Sequence, residues 1–230
     1  MPAILITGAS RGIGLGLTRE FAARDWDVIA TCRNPDNAAE LRALAADNGR
    51  VAIAPLDVRD FAAIDELAAS LKGRAIDVLV NNAGISKRCA FGELDYEAWR
   101  EVLDTNLLAP MKLAESLIDN LVMSGNGRIV NLASSLGSIS ATTGGSYFYR
   151  SSKAALNMAM RSLAHDLRPR GVIVALLSPG FVDTDFTRSA TRVPKISVEQ
   201  SARGLADAIE ALTPEQSGAF LRFTGERIDW

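Results

Sequence analysis

The stretch Tyr149-Arg150-Ser151-Ser152-Lys153 places a phenol and an ammonium four residues apart, on one face of a helix. A phenol titrates at about 10 in water, which makes it a poor acid–base group at neutral pH unless its surroundings shift it. A nearby ammonium favours the phenolate and lowers that value, so the pair is a candidate for moving a proton. Tyr147 has no such partner, because four residues on stands Ser151. Upstream, Val130-Asn131-Leu132-Ala133-Ser134-Ser135-Leu136-Gly137 carries two serines, and a hydroxyl there could donate to a substrate carbonyl oxygen. Ordinary loop chemistry accounts equally for any one serine in so polar a segment.

A second candidate is the run Thr7-Gly8-Ala9-Ser10-Arg11-Gly12-Ile13-Gly14. Glycines at this spacing permit a tight turn and let backbone N–H groups approach an anion at the start of a helix. The pattern is G-x-x-x-G-x-G. It departs from G-x-G-x-x-G because position 17 is Leu17, and from a P-loop because Ile13 replaces the second glycine and no Gly-Lys follows. Its place between an apolar run and a helical pattern points to a nucleotide phosphate rather than a plain turn.

The second strand closes on Thr31-Cys32-Arg33, where an NAD-selective site would carry an acidic residue for the ribose hydroxyls. Arg33 can instead pair bidentately with a 2′-phosphate, and Arg11 could reach the same group from the glycine run. These residues favour NADP(H), with NAD(H) as the alternative; two solvated surface arginines would look the same. In Leu56-Asp57-Val58, Asp57 beside Val58 is placed either to accept from an adenine amino group or to serve as a helix N-terminal carboxylate.

These candidates need a scaffold. Strands are predicted at Ala3–Thr7, Asp27–Thr31, Val51–Leu56, Asp77–Asn81, Arg128–Leu132, Val172–Leu177 and Ala219–Phe223. Most are continuous Ile/Val/Leu, as parallel strands covered on both faces require. Helices are predicted at Gly14–Arg24, Asn37–Asn48, Phe61–Lys72, Tyr96–Met123, Ser151–Arg168 and Val198–Leu212. The alternation implies right-handed crossovers and a doubly wound α/β sheet in one domain over residues 1–230. Ligands bind beyond the carboxyl ends of such strands, which are the loops that carry the candidates above.

Composition narrows the chemistry. The 230 residues are 48% hydrophobic and 23% charged, with 25 Lys and Arg against 27 Asp and Glu. A formal charge of −2 argues against a nucleic-acid binder. Two cysteines, Cys32 and Cys89, exclude a disulfide scaffold and a Cys-based metal site, and a single histidine, His165, leaves no metal pair. His165 falls twelve residues beyond Lys153, so its expected role is structural, and nothing supports a redox role for Cys89. No signal peptide or membrane span is expected, and the reduced-looking cysteines fit the cytoplasm. Proton chemistry here must run on something other than imidazole. A serine hydrolase is disfavoured by the lack of G-x-S-x-G.

Taken in order, Gly8-x-x-x-Gly12-x-Gly14, Asn81-Asn82-Ala83-Gly84, Asn106, the serine before Gly137, Tyr149-x-x-x-Lys153 and Pro179-Gly180 resemble a short-chain dehydrogenase/reductase along essentially the whole chain. Leu136-Gly137-Ser138-Ile139 and Tyr149-Arg150-x-Ser-Lys153-Ala-Ala-Leu-Asn157 are most similar to the C-factor-like and sniffer-like carbonyl reductases of that family. The resemblance implies a Rossmann fold with seven parallel strands in the order 3-2-1-4-5-6-7. It implies that Tyr149 donates the proton, that Lys153 lowers the phenol and holds the nicotinamide ribose, and that Ser134 binds the carbonyl oxygen. Asn106 would sit at a disturbed point of its helix and hold a water in a relay to Lys153. Gly8, Ser10, Arg11, Gly12, Ile13, Gly14, Arg33, Asp57, Val58, Asn82, Ala83, Gly84, Pro179, Gly180, Val182 and Thr184 would line the cofactor.

Ser134 and Tyr149 are fifteen residues apart, wider than the family's commonest spacing, which keeps Ser135 as an alternative donor. The segment from Asp183 to Ser197 would form a short substrate lid and leave the site open to varied aldehydes or ketones. Its Arg188, Arg192 and Lys195 could favour an acidic substrate or be simply solvated. Apolar residues on several faces of the 96–123 and 151–168 helices, together with the resemblance, imply a homodimer. The expected activity is NADP(H)-dependent carbonyl reduction. The alternative is a dinucleotide-binding signalling protein of C-factor type.

Overall fold

Residues 1–188 and 193–230 are described in the computed structural model; Arg192 lies outside them. Seven strands, β1 Ala3–Ile6, β2 Asp27–Cys32, β3 Val51–Pro55, β4 Val78–Asn81, β5 Arg128–Leu132, β6 Ile173–Ser178 and β7 Phe220–Arg222, make one sheet. All neighbours pair in parallel, in the order β3-β2-β1-β4-β5-β6-β7. Helices α1 Gly12–Ala23, α2 Ala39–Asp47, α3 Phe61–Ser70, α4 Tyr96–Leu103, α5 Ala109–Met123, α6 Tyr147–Leu167 and α7 Val198–Glu210 cover both faces.

The strand pattern explains the two layers. Alternate side chains point to opposite faces, so Ile4 and Ile6 of β1 join one core with Phe21 of α1 and Leu205 of α7. Leu5 joins the other with Ile64 of α3, Leu117 of α5 and Met160 of α6. A strand buried on both faces needs no polar alternation, which is why these runs read as continuously apolar.

The predicted 96–123 helix is interrupted. Between α4 and α5 the chain makes a π turn over Asp104–Leu108, and Asn106 lies fully buried within it. Helix α6 starts at Tyr147, four residues before the predicted Ser151. Ser146 caps it in the left-handed region (φ 48°), and the first-turn Phe148 is buried against Trp99 with ring centroids 5.0 Å apart. Tertiary packing thus extends the helix upstream and puts Tyr149 in its first turn. Beyond β7 the chain folds back on itself, bridging Leu221 to Arg227 antiparallel.

Candidate active site

The strand order reverses between β1 and β4, and the loops leaving these two strands meet there. The Asn82 amide donates to the Thr7 and Gly8 carbonyls at 2.7 and 3.0 Å, and Ala83 N–H donates to the Thr7 hydroxyl. Gly14 is forced: a Cβ there would stand 2.4 Å from the Gly8 carbonyl oxygen. Gly8 itself takes φ +67°, close to Ala83. Thr184 packs beside Gly12 from the loop after β6. Helix α1 then opens with no capping side chain and no acidic residue in its first turn, so its leading N–H groups fit a dinucleotide's phosphates.

On the other side of β4, Tyr149, Lys153 and Ser134 converge at the carboxyl end of β5. Ser134 starts the short turn Ser135–Gly137, accepting the Leu136 N–H at 3.2 Å. Ser134 is partly buried and Ser135 exposed, and it is the Ser134 side chain that pulls the Tyr149 phenol downwards. Lys153, 6% exposed, donates from Nζ to the Leu132 carbonyl at 2.7 Å, with Nζ 5.8 Å from the Tyr149 ring centroid.

The electrostatics differ from the sequence expectation. Burial pushes the phenol up to about 12, with the Ser134 hydrogen bond pulling the other way. Burial also pulls the Lys153 ammonium down to about 8. Surroundings of low polarity disfavour both charged forms, and that effect outweighs any attraction of the ammonium for a phenolate. The phenol is therefore a neutral acid near pH 7.

Asn106 joins two of these elements. Its Oδ1 accepts the Ile85 N–H, and its Nδ2 donates to the Ile85 carbonyl and to Ser152 Oγ, each at 2.9 Å. The loop after β4 is thereby fixed to α6, one residue from Lys153. Gly84 lies between, where a Cβ would face Asn106 Oδ1 and Lys153 Nζ. Across the site, the Pro179 carbonyl accepts the Ser201 hydroxyl at 2.7 Å, Gly180 takes φ +85° against Phe223, and Val182 is buried and bridged to Ile196.

The two arginines separate. Arg33 is exposed, makes no ion pair among the described residues, and acts on the Asp57 carboxyl. Burial raises Asp57, but the Arg59 amide and guanidinium together with Arg33 hold it below the usual carboxylate range. Val58 beside it is buried. Arg11 does not turn towards Arg33: it pairs with Asp185 at 3.2 Å, which Arg188 also reaches. Lys195 pairs with Asp183 at 3.0 Å. Ser10 and Ile13 are partly exposed on the same loop as Arg11.

Two contacts at the mouth had no signal in the sequence. The Phe186 ring lies 5.5 Å from that of Tyr149, and Phe91 lies 6.2 Å from Tyr147. Each joins a distant loop to the first turn of α6, and an exposed aromatic in a loop has no period to betray it. Among the described residues, no three His, Cys, Asp or Glu gather as metal ligands, and no helix is long and apolar enough to cross a membrane.

Comparison with known proteins agrees with this geometry. The family model for short chain dehydrogenases matches residues 2–194. C-signal of Myxococcus xanthus is 40% identical over 157 residues, covering 67% of this chain and 93% of its own. The NADPH-bound carbonyl reductase from chicken fatty liver superposes with a TM-score of 0.93 at 34% identity, covering 100% of this chain and 99% of the other. Carbonyl reductase Sniffer of D. melanogaster gives 0.92 at 34% identity, with both chains fully covered.

Proposed function

This chain belongs to the short chain dehydrogenase family, and on that footing we propose that it is an NADP(H)-dependent carbonyl reductase in which Tyr149 is the proton donor. The observation that carries the reading is the meeting of Ser134, Tyr149 and Lys153 at one strand end, beside an uncapped glycine turn. NADPH would supply the hydride. Gly8, Ser10, Gly12, Ile13 and Gly14 would hold its phosphates, and Arg33 its 2′-phosphate, with Arg11 available once released from Asp185. Asp57 and Val58 would border the adenine. Asn82, Ala83, Gly84, Pro179, Gly180, Val182 and Thr184 would line the nicotinamide half.

Ser134 donates to the substrate carbonyl oxygen and polarises it. Tyr149, neutral at pH 7, gives its proton to the same oxygen as it becomes an alkoxide. Lys153 would hold the ribose hydroxyls and stabilise the transient phenolate, while Asn106 keeps the Ile85 loop and Ser152 in place for the relay. The aromatic mouth and short lid suit a range of aldehydes or ketones. The expected setting is the cytoplasm, as a homodimer joined through the apolar groove of Leu108, Met111, Ile118 and Leu163.

The likeness to C-signal favours a second reading, a dinucleotide-binding signalling protein with incidental catalysis. One experiment separates the two: a carbonyl panel assayed with NADPH and NADH, on the native protein and on Tyr149→Phe. Reduction should fall about 10²- to 10⁴-fold in Tyr149→Phe while NADPH still binds. An undiminished rate removes the catalytic assignment.

A further inference from the structure

Residues 138–146 run from the turn that carries Ser134 to the helix that carries Tyr149, so whatever fixes this loop fixes the pair. The loop holds itself poorly. Residues 139–145 are exposed, Gly144 and Gly145 both have positive φ, and the internal bonds are local ones such as Ser138 Oγ to Ser140 Oγ at 3.2 Å. Beyond those to Ser138, the hydrogen bonds leaving residues 139–145 go to two residues among those described. Arg150 donates to Thr143 Oγ1 at 3.2 Å, and the Trp230 carbonyl accepts the Ser140 N–H at 3.0 Å.

Trp230 is itself held from two elements. The Arg161 guanidinium of α6 sits 4.8 Å from its ring centroid, and the Phe220 ring of β7 lies 5.4 Å away. The fold-back beyond β7 sets the approach, with Ile228 N–H donating to the Phe220 carbonyl at 2.8 Å and Arg222 N–H to the Glu226 carbonyl at 2.7 Å. Arg161 stands on the same rigid helix as Tyr149, twelve residues further on. Ser138, in turn, ends the short turn that Ser134 begins.

We propose that Trp230 is a positioning residue: clasped by Arg161 and Phe220, it anchors Ser140 and thereby holds the 138–146 loop and Ser134 in register with Tyr149. The inference rests on the carbonyl-reductase reading for its kinetic consequence, though not for the clasp itself. The indole borders a small cavity lined by Arg161, Ser217, Phe220 and Ile228 and is about one third exposed, so truncating it spares the packed core.

The test compares the native protein with Trp230→Ala, Trp230→Phe and Arg161→Met in two assays. Hydrogen exchange over residues 138–146 should accelerate in Trp230→Ala and Arg161→Met, and return towards native protection in Trp230→Phe, which keeps a ring over Arg161. The kcat/KM for carbonyl substrates should fall about 10- to 100-fold in Trp230→Ala with the Kd for NADPH within twofold, because only the loop geometry is loosened. Unchanged exchange in Trp230→Ala overturns the clasp. Faster exchange with unchanged kcat/KM, or loss of NADPH affinity in step with activity, overturns its positioning role. Absence of carbonyl reduction by the native protein overturns the assigned activity instead, and the exchange comparison still decides the clasp.

Discussion

The Lys153 ammonium donates to the Leu132 carbonyl at 2.7 Å while standing 5.8 Å from the centre of the Tyr149 ring. The lysine is thus anchored to the strand end and turned to the phenol's ring, inside surroundings that disfavour charge on either group. Buried Lys153 and half-buried Tyr149 both resist ionisation and form a proton-holding pair, ready for reduction near neutral pH.

Stability should report the lysine directly. Its folded value of about 8 lies below the 10.5 of an unfolded chain, so the unfolded state binds more protons between those two values. Stability therefore rises with pH across that window, by on the order of 3 kcal/mol, and the penalty is fully present below about pH 8. The phenol acts oppositely, but only above its unfolded value of 10. Lys153→Met should flatten the rise between pH 8 and 10, as measured by denaturant unfolding of the two cofactor-free proteins at each pH.

Arg33 offers a guanidinium with no competing ion pair among the described residues, at the end of β2. Arg33→Ala should weaken NADPH about 10- to 100-fold, the worth of a charge-assisted hydrogen bond, and leave NADH within twofold. Fluorescence titration with both cofactors checks this; equal losses for the two would assign Arg33 no part in discrimination.

Asn106 makes three hydrogen bonds at 2.9 Å from a fully buried site. Asn106→Ala leaves the Ile85 N–H and carbonyl without partners, at a cost of about 2–4 kcal/mol in unfolding free energy. Urea unfolding gives the number, and a change below about 1 kcal/mol would mean that water replaces the amide.

Met111 lies in the apolar groove between α5 and α6. Met111→Glu places a charge where a homodimer would bury it, so sedimentation should shift from a dimer to the 24.6 kDa monomer. A native protein that already sediments as a monomer rejects the dimer.

The sheet was legible because most strands are runs of apolar residues that end at a glycine or polar break. Strand ends then placed Ser134 and the glycine turn, and the Tyr149/Lys153 spacing put that pair on the helix that follows. Burial was not legible: nothing in Tyr149-Arg150-Ser151-Ser152-Lys153 states how much water the pair retains, and that decides the direction in which the phenol shifts. Nor could pattern show that Arg11 would meet Asp185, or Trp230 meet Ser140, since these contacts close loops across long stretches of the chain and leave no period behind. Asn106 lay between. Its disturbed helix was expected from resemblance alone, because a π turn leaves the apolar spacing on either side almost intact.

That turn also leaves the phase of α5 undisturbed. A π turn is an α-helix carrying one extra residue, and each residue advances the helix by about 100°. Removing a single residue from Asp104–Leu108 would let α4 and α5 fuse into one regular helix with the Leu113–Leu117–Leu121 stripe still on the sheet, because the wide turn is what absorbs that residue's rotation. The extra residue thus serves the site and not the core: α5 packs as an unbroken helix would, while the widened turn leaves Asn106 free to bond Ile85 and Ser152.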